Sequence, residues 1–223
     1  VLPDVVEVRK LHRDGHYIIL GTKACGVINP STGKNIGAVL VSRDITRDKE
    51  RMRNLEKLAT LDTLTGLHNR TWINDQVGRM LAKVDDEAYT TVMFIDLNGF
   101  KAVNDLMGHA TGDALLQQVS ERLQRCMRPG DSLARLGGDE FVVAAKCRNR
   151  DTAAAIALRI IESLHAPFAI DNMDVRIGAA IGISLARFGT ASAKILFENA
   201  DKAMYQAKAR RDGSYQFFES EEP

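Results

Sequence analysis

The residues in this sequence best suited to chemistry are acids placed where strands end. In "ARLGGDEFVVAA", residues 134–145, two glycines and two acids interrupt an apolar, strand-like run. Gly137 and Gly138 suit a tight hairpin turn that needs positive φ, and such a turn leaves Asp139 and Glu140 at one end of a sheet. Asp96 closes another apolar run, "YTTVMFID", and also projects from a strand end, where ligands of α/β sheets tend to bind. Two hard carboxylates converging with a main-chain carbonyl such as that of Leu97 suit a magnesium ion that shares its shell with phosphate oxygens. Taken singly, each feature has a plainer reading. "GGDE" is also an ordinary hairpin with solvated acids, and Asp96 is also an acidic cap on the following segment, "NGFKAVND".

The elements that must position these acids follow from hydrophobic periodicity. Residues 70–84 predict a helix with Trp72, Ile73, Val77, Met80 and Leu81 on one face, and 89–96 a buried strand. Residues 111–127 predict a helix burying Leu115, Leu116, Val119 and Leu123; "SLARL" and "FVVAAK" predict the strand pair around "GGDE". A helix follows over 151–165, then a strand over 174–186, a helix over 191–210 and a short strand "SYQFF". The order α-β-α-β-β-α-β-α-β predicts a central sheet with crossover helices packed against it.

Upstream, residues 1–43 predict short strands separated by the turns "RDG" (13–15) and "NPSTGKNIG", with "AVLVS" (38–42) as a third strand. Residues 44–62 are highly charged, lack Gly and Pro, and space Ile45, Met52, Leu55 and Ala59 as a narrow apolar seam. Either a solvated linker helix or a two-chain coiled coil fits that pattern.

Composition narrows the classes of function. With 223 residues, 45% of them hydrophobic, the chain can bury a real core and holds one full domain plus a smaller piece. A net charge of +1 argues against broad electrostatic capture of nucleic acid or membrane. Cys25, Cys126 and Cys147 are odd in number and widely spaced, which fits a reduced, cytoplasmic setting. No apolar run is long enough to span a bilayer. A start at Val1 and a charged "ESEEP" end suggest part of a longer protein, in which a membrane anchor or a further domain has room outside this stretch.

Four blocks resemble the GGDEF domains, the diguanylate cyclases, in order and spacing over about 63–218. They are "LDTLTGLHNR" (61–70), "FIDLNGFKAVNDLMGHATGDALL" (94–116), "RLGGDEF" and "NADKAMYQAK" (199–208). The resemblance implies an α/β (α+β) fold, a central mostly antiparallel five-stranded sheet flanked by helices, similar to nucleotide cyclases and polymerase palms. It implies condensation of two GTP into cyclic di-GMP with release of two pyrophosphates. By position, Asp96, the Leu97 carbonyl and Asp139 would hold two Mg²⁺ or Mn²⁺ ions, and Asn104 and Asp113 would hydrogen-bond guanine. Gly137 and Gly138 would admit the phosphates, Lys101 and Lys208 would supply positive charge to them, and Phe100 would pack beneath the site. Glu140 would reach a ribose 3′-hydroxyl or a metal. His109 and Trp72 read as structural.

The "RPGD" turn (128–131) stands at the spacing of the family's RxxD inhibitory site, so Arg128 and Asp131 become candidates to bind cyclic di-GMP, with Arg159 assisting. A helix-ending turn explains Pro129 and Gly130 equally well. Residues 1–47 resemble the C-terminal part of a PAS sensor domain, 44–62 a linker (signalling) helix, and 63–223 the GGDEF domain. Because one domain holds one GTP, two must face each other, and a homodimer through the linker helix and PAS part would arrange that. Two departures stand out. Asn98 replaces a second acid after Asp96, and "AKARRDGSYQ" places Arg211 and Asp212 where the family has Gly and Arg, so that Arg210 or Arg211 would stand in for the phosphate-binding arginine. Two further readings follow: a GTP-sensing domain that regulates an attached cyclic di-GMP phosphodiesterase, and a cyclic di-GMP receptor.

Overall fold

The computed structural model describes residues 5–83, 88–171, 173–210 and 214–219, without the side chains of 54 and 56. The chain divides into two units, Val1–Lys57 and Leu58–Pro223.

The first unit is a three-stranded antiparallel sheet of β1 (Val6–Leu11), β2 (Tyr17–Ile28) and β3 (Asn35–Asp44), in that order, leading into helix α1 (Thr46–Thr60). Two turns set the register: Leu11 pairs with Tyr17, and Leu20 with Asp44. Asp44 closes the entry to α1 by accepting from the Thr46 amide at 2.9 Å and hydroxyl at 2.6 Å. None of the described residues of this unit is buried. Val39, Leu40 and Val41 are all more than half exposed, as are Met52 and Leu55 on α1.

The second unit is built on five strands. Helix α2 (Arg70–Ala82) precedes β4 (Tyr89–Asn98); α3 (Phe100–Met107) and α4 (His109–Arg125) lead to the hairpin of β5 (Ser132–Gly137) and β6 (Glu140–Cys147). Then come α5 (Arg150–His165), β7 (Phe168–Ile170), β8 (Met173–Val175), β9 (Gly178–Ala186), α6 (Ala193–Ala209) and β10 (Tyr215–Phe217). The sheet runs β10-β9-β4-β6-β5, antiparallel except for β10 beside β9, as the mostly antiparallel expectation required.

β4 is central and covered on both faces, which is why its sequence is continuously apolar rather than alternating. Met93, Ile95 and Leu97 pack on one face with Leu115, Val119 and Leu123 of α4 and Ile156, Ile160 and Leu164 of α5. Val92 and Phe94 pack on the other with Ile73 and Val77 of α2 and Leu196, Ala200 and Met204 of α6. At Gly182 on β9, a Cβ would lie 1.9 Å from the Ala200 carbonyl oxygen and 2.1 Å from the Met204 nitrogen, so α6 lies directly on the strand backbone.

Two boundaries differ from the periodicity reading. The strand expected over 174–186 is two: Val175 ends a small hairpin with β7, and β9 begins at Gly178. The apolar alternation runs on through that break, so only Gly178 marked it. The helix expected from 111 begins at His109, separated from α3 by Gly108 at φ 84°. Among the described residues, no helix is long and apolar enough to cross a membrane.

Candidate active site

Asp96 lies at the far end of β4, directly across the ladder from Glu140, the first residue of β6. Between the strands, the turn carries Gly137 at φ 138° and Gly138 at φ 53°, with nothing within 4 Å of where either Cβ would stand. Only glycine adopts both angles without strain, and the bare backbone leaves space for a ligand to approach. The Leu97 amide donates to the Asp139 carbonyl at 3.3 Å, tying the turn to the end of β4. Asp139, Leu97, Asn98, Gly99, Lys101 and Lys208 line one cavity of about 370 Å³.

Lys208 reaches this cavity from the last turn of α6, which the close contact at Gly182 holds against the sheet. Its ammonium donates to Asp96 Oδ2 at 2.8 Å and lies 2.7 Å from Oδ1, but Oδ1 is buried and has no hydrogen-bond partner. Burial pushes the Asp96 carboxyl above its usual range; Lys208 opposes the rise and Asp139 adds to it. The hydrogen bond to Asp96 holds the Lys208 ammonium above its usual range, against burial, with the charges of Asp96, Asp139 and Glu140 adding. An ammonium in contact with both oxygens of a buried acid, beside a second acid, occupies a place suited to a cation of higher charge. The donors are all oxygen, the chemistry of a hard divalent ion, and such an ion would take the ammonium's place across the two Asp96 oxygens.

Glu140 opens instead onto a neighbouring cavity of about 570 Å³, with Arg70, Phe94, Phe197 and Asp201 among its walls. Its carboxylate lies 3.7 Å from the Arg70 guanidinium. Burial raises its pKa, Arg70 lowers it, and Asp201, Asp96 and Asp139 raise it further. Phe100 is buried in the core at the start of α3, next to the cavity-lining Gly99 and Lys101.

Asn104 of α3 lies against the start of α4. A Cβ on Gly112 would lie 1.9 Å from Asn104 Oδ1, so the amide lies against the helix turn that carries Asp113. Asn104 is half-buried and Asp113 exposed; neither lines the 370 Å³ cavity.

The turn at 128–131 is closed internally. The Arg128 amide donates to Asp131 Oδ2 at 2.9 Å, the Asp131 amide to the Arg128 carbonyl at 3.0 Å, and Gly130 has φ 98°. Asp131 thus caps its own turn, whereas Arg128 is exposed. Arg159 donates through Nε and Nη2 to the Cys126 carbonyl at 3.0 and 2.7 Å, which closes the end of α4. Arg211 lies outside the described residues.

Residue-by-residue reading of the sequence missed the support beneath the hairpin. Arg135, on β5, donates to the Gly138 carbonyl through Nε at 3.0 Å and Nη2 at 2.8 Å, and through Nη1 to Asp62 at 2.9 Å. Asp62 also accepts from the Thr65 amide and hydroxyl, and Gly66, at φ 70°, closes that loop. Burial alone would raise the Asp62 pKa, but the bonds from Thr65 and Arg135 outweigh it and hold it below the usual range. Asn69 caps α2 by accepting from the Trp72 amide, and His68 stacks on Trp72 at 3.4 Å. The opening block of the sequence is thus a brace for the glycine turn; an Asp and an Arg separated by 73 positions carry no local signal of their pairing.

Comparison with known proteins places this architecture. Residues 59–214 match the family described as "Diguanylate cyclase, GGDEF domain". The bifunctional diguanylate cyclase/cyclic di-GMP phosphodiesterase MucR of Pseudomonas aeruginosa is 42% identical over 169 residues, 75% of this chain and 25% of that protein. The cyclic di-GMP phosphodiesterase PdeR of Escherichia coli is 34% identical over 195 residues, 87% of this chain and 29% of that protein. The chain thus spans less than a third of the length of these two relatives. The GGDEF domain of YfiN (TpbB) from Pseudomonas aeruginosa superposes with a TM-score of 0.68 at 36% identity, covering 71% of this chain and 94% of that one. From its five-stranded sheet, its glycine turn and these matches, the chain belongs to the GGDEF family.

Proposed function

We propose that this chain is a diguanylate cyclase, condensing two GTP into cyclic di-GMP and two pyrophosphates. The observation that carries the reading is the buried carboxylate of Asp96, its two oxygens bridged by the ammonium of Lys208, which lines one cavity with Asp139. Asp96, Asp139 and the Leu97 carbonyl would hold Mg²⁺ or Mn²⁺, two per site. Bound there, the ions would lower the 3′-hydroxyl pKa and neutralise charge on the phosphate oxygens.

The chain's own residues bind and orient. Lys101 and Lys208 place positive charge along the triphosphate, and the turn backbone admits the phosphates closely. Asn104 and Asp113 hydrogen-bond the guanine edge. Each 3′-oxygen forms its bond to the α-phosphorus of the other nucleotide as the bond to the pyrophosphate oxygen breaks. Glu140, opposite Asp96 in the ladder and raised in pKa by burial, is the acid assigned to the 3′-hydroxyl proton. Since each domain holds one GTP, the active species is a homodimer, with the exposed Met52 and Leu55 on α1 as its seam. We read residues 1–47 as the C-terminal part of a PAS domain that governs the meeting of the two halves, in the cytoplasm. Arg128, Asp131 and Arg159 form the product-binding inhibitory site.

Incubation with GTP and Mg²⁺, followed by separation of the nucleotides, tests the proposal. Cyclic di-GMP is expected from the native chain and none from Asp139→Ala; GTP left intact by the native chain refutes catalysis. A second reading, a GTP-sensing domain that regulates an attached phosphodiesterase, draws on Asn98 and on the names and lengths of MucR and PdeR. In that case GTP binds and remains unreacted.

A further inference from the structure

The hairpin between β1 and β2 gathers a second set of metal-ligand side chains, unlike the first in chemistry. Its loop spans 12–16, with the pattern His-x-Asp-x-His. The His12 amide donates to the His16 carbonyl at 2.7 Å and the Gly15 amide to the His12 carbonyl at 3.0 Å, with Gly15 at φ 85°. His12 and His16 thus face each other one step beyond the Leu11–Tyr17 pair, and their rings stack at 4.7 Å with a 28° interplanar angle. Asp14 folds back from the loop tip, its Oδ2 3.1 Å from His12 Nδ1. One donor atom from each of the three side chains lies within 4.8 Å of the others, the one such trio among the described residues.

We propose that His12, Asp14 and His16 form a binding site for a first-row divalent transition ion such as zinc. Zinc bonds to imidazole nitrogen and carboxylate oxygen run about 2.0–2.2 Å, so ligands on one ion sit roughly 3–3.5 Å apart, a spacing that His12 and Asp14 already have. The Asp14 amide lies 3.4 Å from the same Nδ1, the outer limit of a hydrogen bond. An ion bonded to Nδ1 would take the place of that long hydrogen bond and would draw Asp14 Oδ2 into the same shell. The surrounding charge is modest: Arg13 Nε lies 3.7 Å from Asp14 Oδ1, a surface pair worth little. Two imidazoles and one carboxylate select zinc, nickel or copper over magnesium, whereas the oxygen donors at Asp96 and Asp139 select the reverse. Three protein ligands leave a position for water or for a fourth donor.

The test uses the whole chain, stripped with chelator and dialysed against zinc in excess magnesium, with bound zinc measured per chain. One zinc is expected in the native chain and in Asp139→Asn. His16→Gln and His12→Gln are expected to weaken its binding by about a hundredfold or more, at least the cost of losing an outer partner. A readout that needs no variant is acylation by diethylpyrocarbonate: zinc is expected to shield His12 and His16 while His109 and His165 react. No zinc in the native chain, equal zinc in the histidine variants, loss that follows Asp139→Asn, or unshielded His12 and His16 each overturns the proposal.

Discussion

At the scale of single residues, burial raises the Asp96 carboxyl, Lys208 opposes the rise and Asp139 adds to it. Replacing Lys208 by Ala leaves a buried carboxylate facing only another acid. Because the lysine side chain is 46% exposed and water screens the pair, the expected loss is about 1–2 kcal/mol rather than the larger penalty for fully buried pairs. Manganese is expected to restore the melting temperature of this variant, as measured by calorimetry, by supplying the missing cation. Asp62 gives a pH dependence of definite sign. Its carboxyl titrates lower in the folded chain than the ordinary 3.8, so its contribution is complete above that value and is lost as pH falls through the folded value. Asp62→Asn is therefore expected to cost about 1–3 kcal/mol near neutrality and to flatten the acid limb of the stability profile, read from denaturant midpoints across pH.

At the scale of elements, two glycines report on how helices position side chains. Gly112→Ala brings a methyl against the Asn104 amide, which must turn away. The expected outcome is a rise in KM for GTP of about tenfold, one lost hydrogen bond to a base, with the melting temperature nearly unchanged. Gly182→Ala instead meets the backbone of α6, which cannot turn aside. A loss of about 3 kcal/mol or more and a displaced Lys208 are expected, visible in thermal unfolding. Glycine reads in the sequence as a break or a turn, and neither of these is one; close approach between elements distant in the chain leaves no periodic trace. Hydrophobic periodicity, by contrast, located α2, α5 and α6 nearly to their ends, because each buries one stripe against the sheet. The alternation that ran from Val175 into β9 concealed a break for the same reason: side-chain period says which face is buried, not whether the strand continues.

At the scale of the whole molecule, the acids were legible because strand ends and a glycine turn are local patterns, whereas their supports were not. Lys208 was expected at the phosphates, but its pairing with Asp96 across 112 positions, like that of Arg135 with Asp62 across 73, has no local signal. The proposed cyclase needs two chains, and the exposed seam on α1 supplies the test. Met52→Asp with Leu55→Asp is expected to give monomers by light scattering and to remove condensation while leaving GTP binding intact. Asp96 and Asp139 are proposed to hold divalent ions beside a triphosphate. Anomalous diffraction from crystals grown with manganese and a non-reactive GTP analogue reads this directly. Manganese bonded to Asp96 Oδ1 and to Asp139, with Lys208 moved onto phosphate oxygen, is the predicted result. Lys208 still paired to Asp96, with no manganese on either acid, would contradict it.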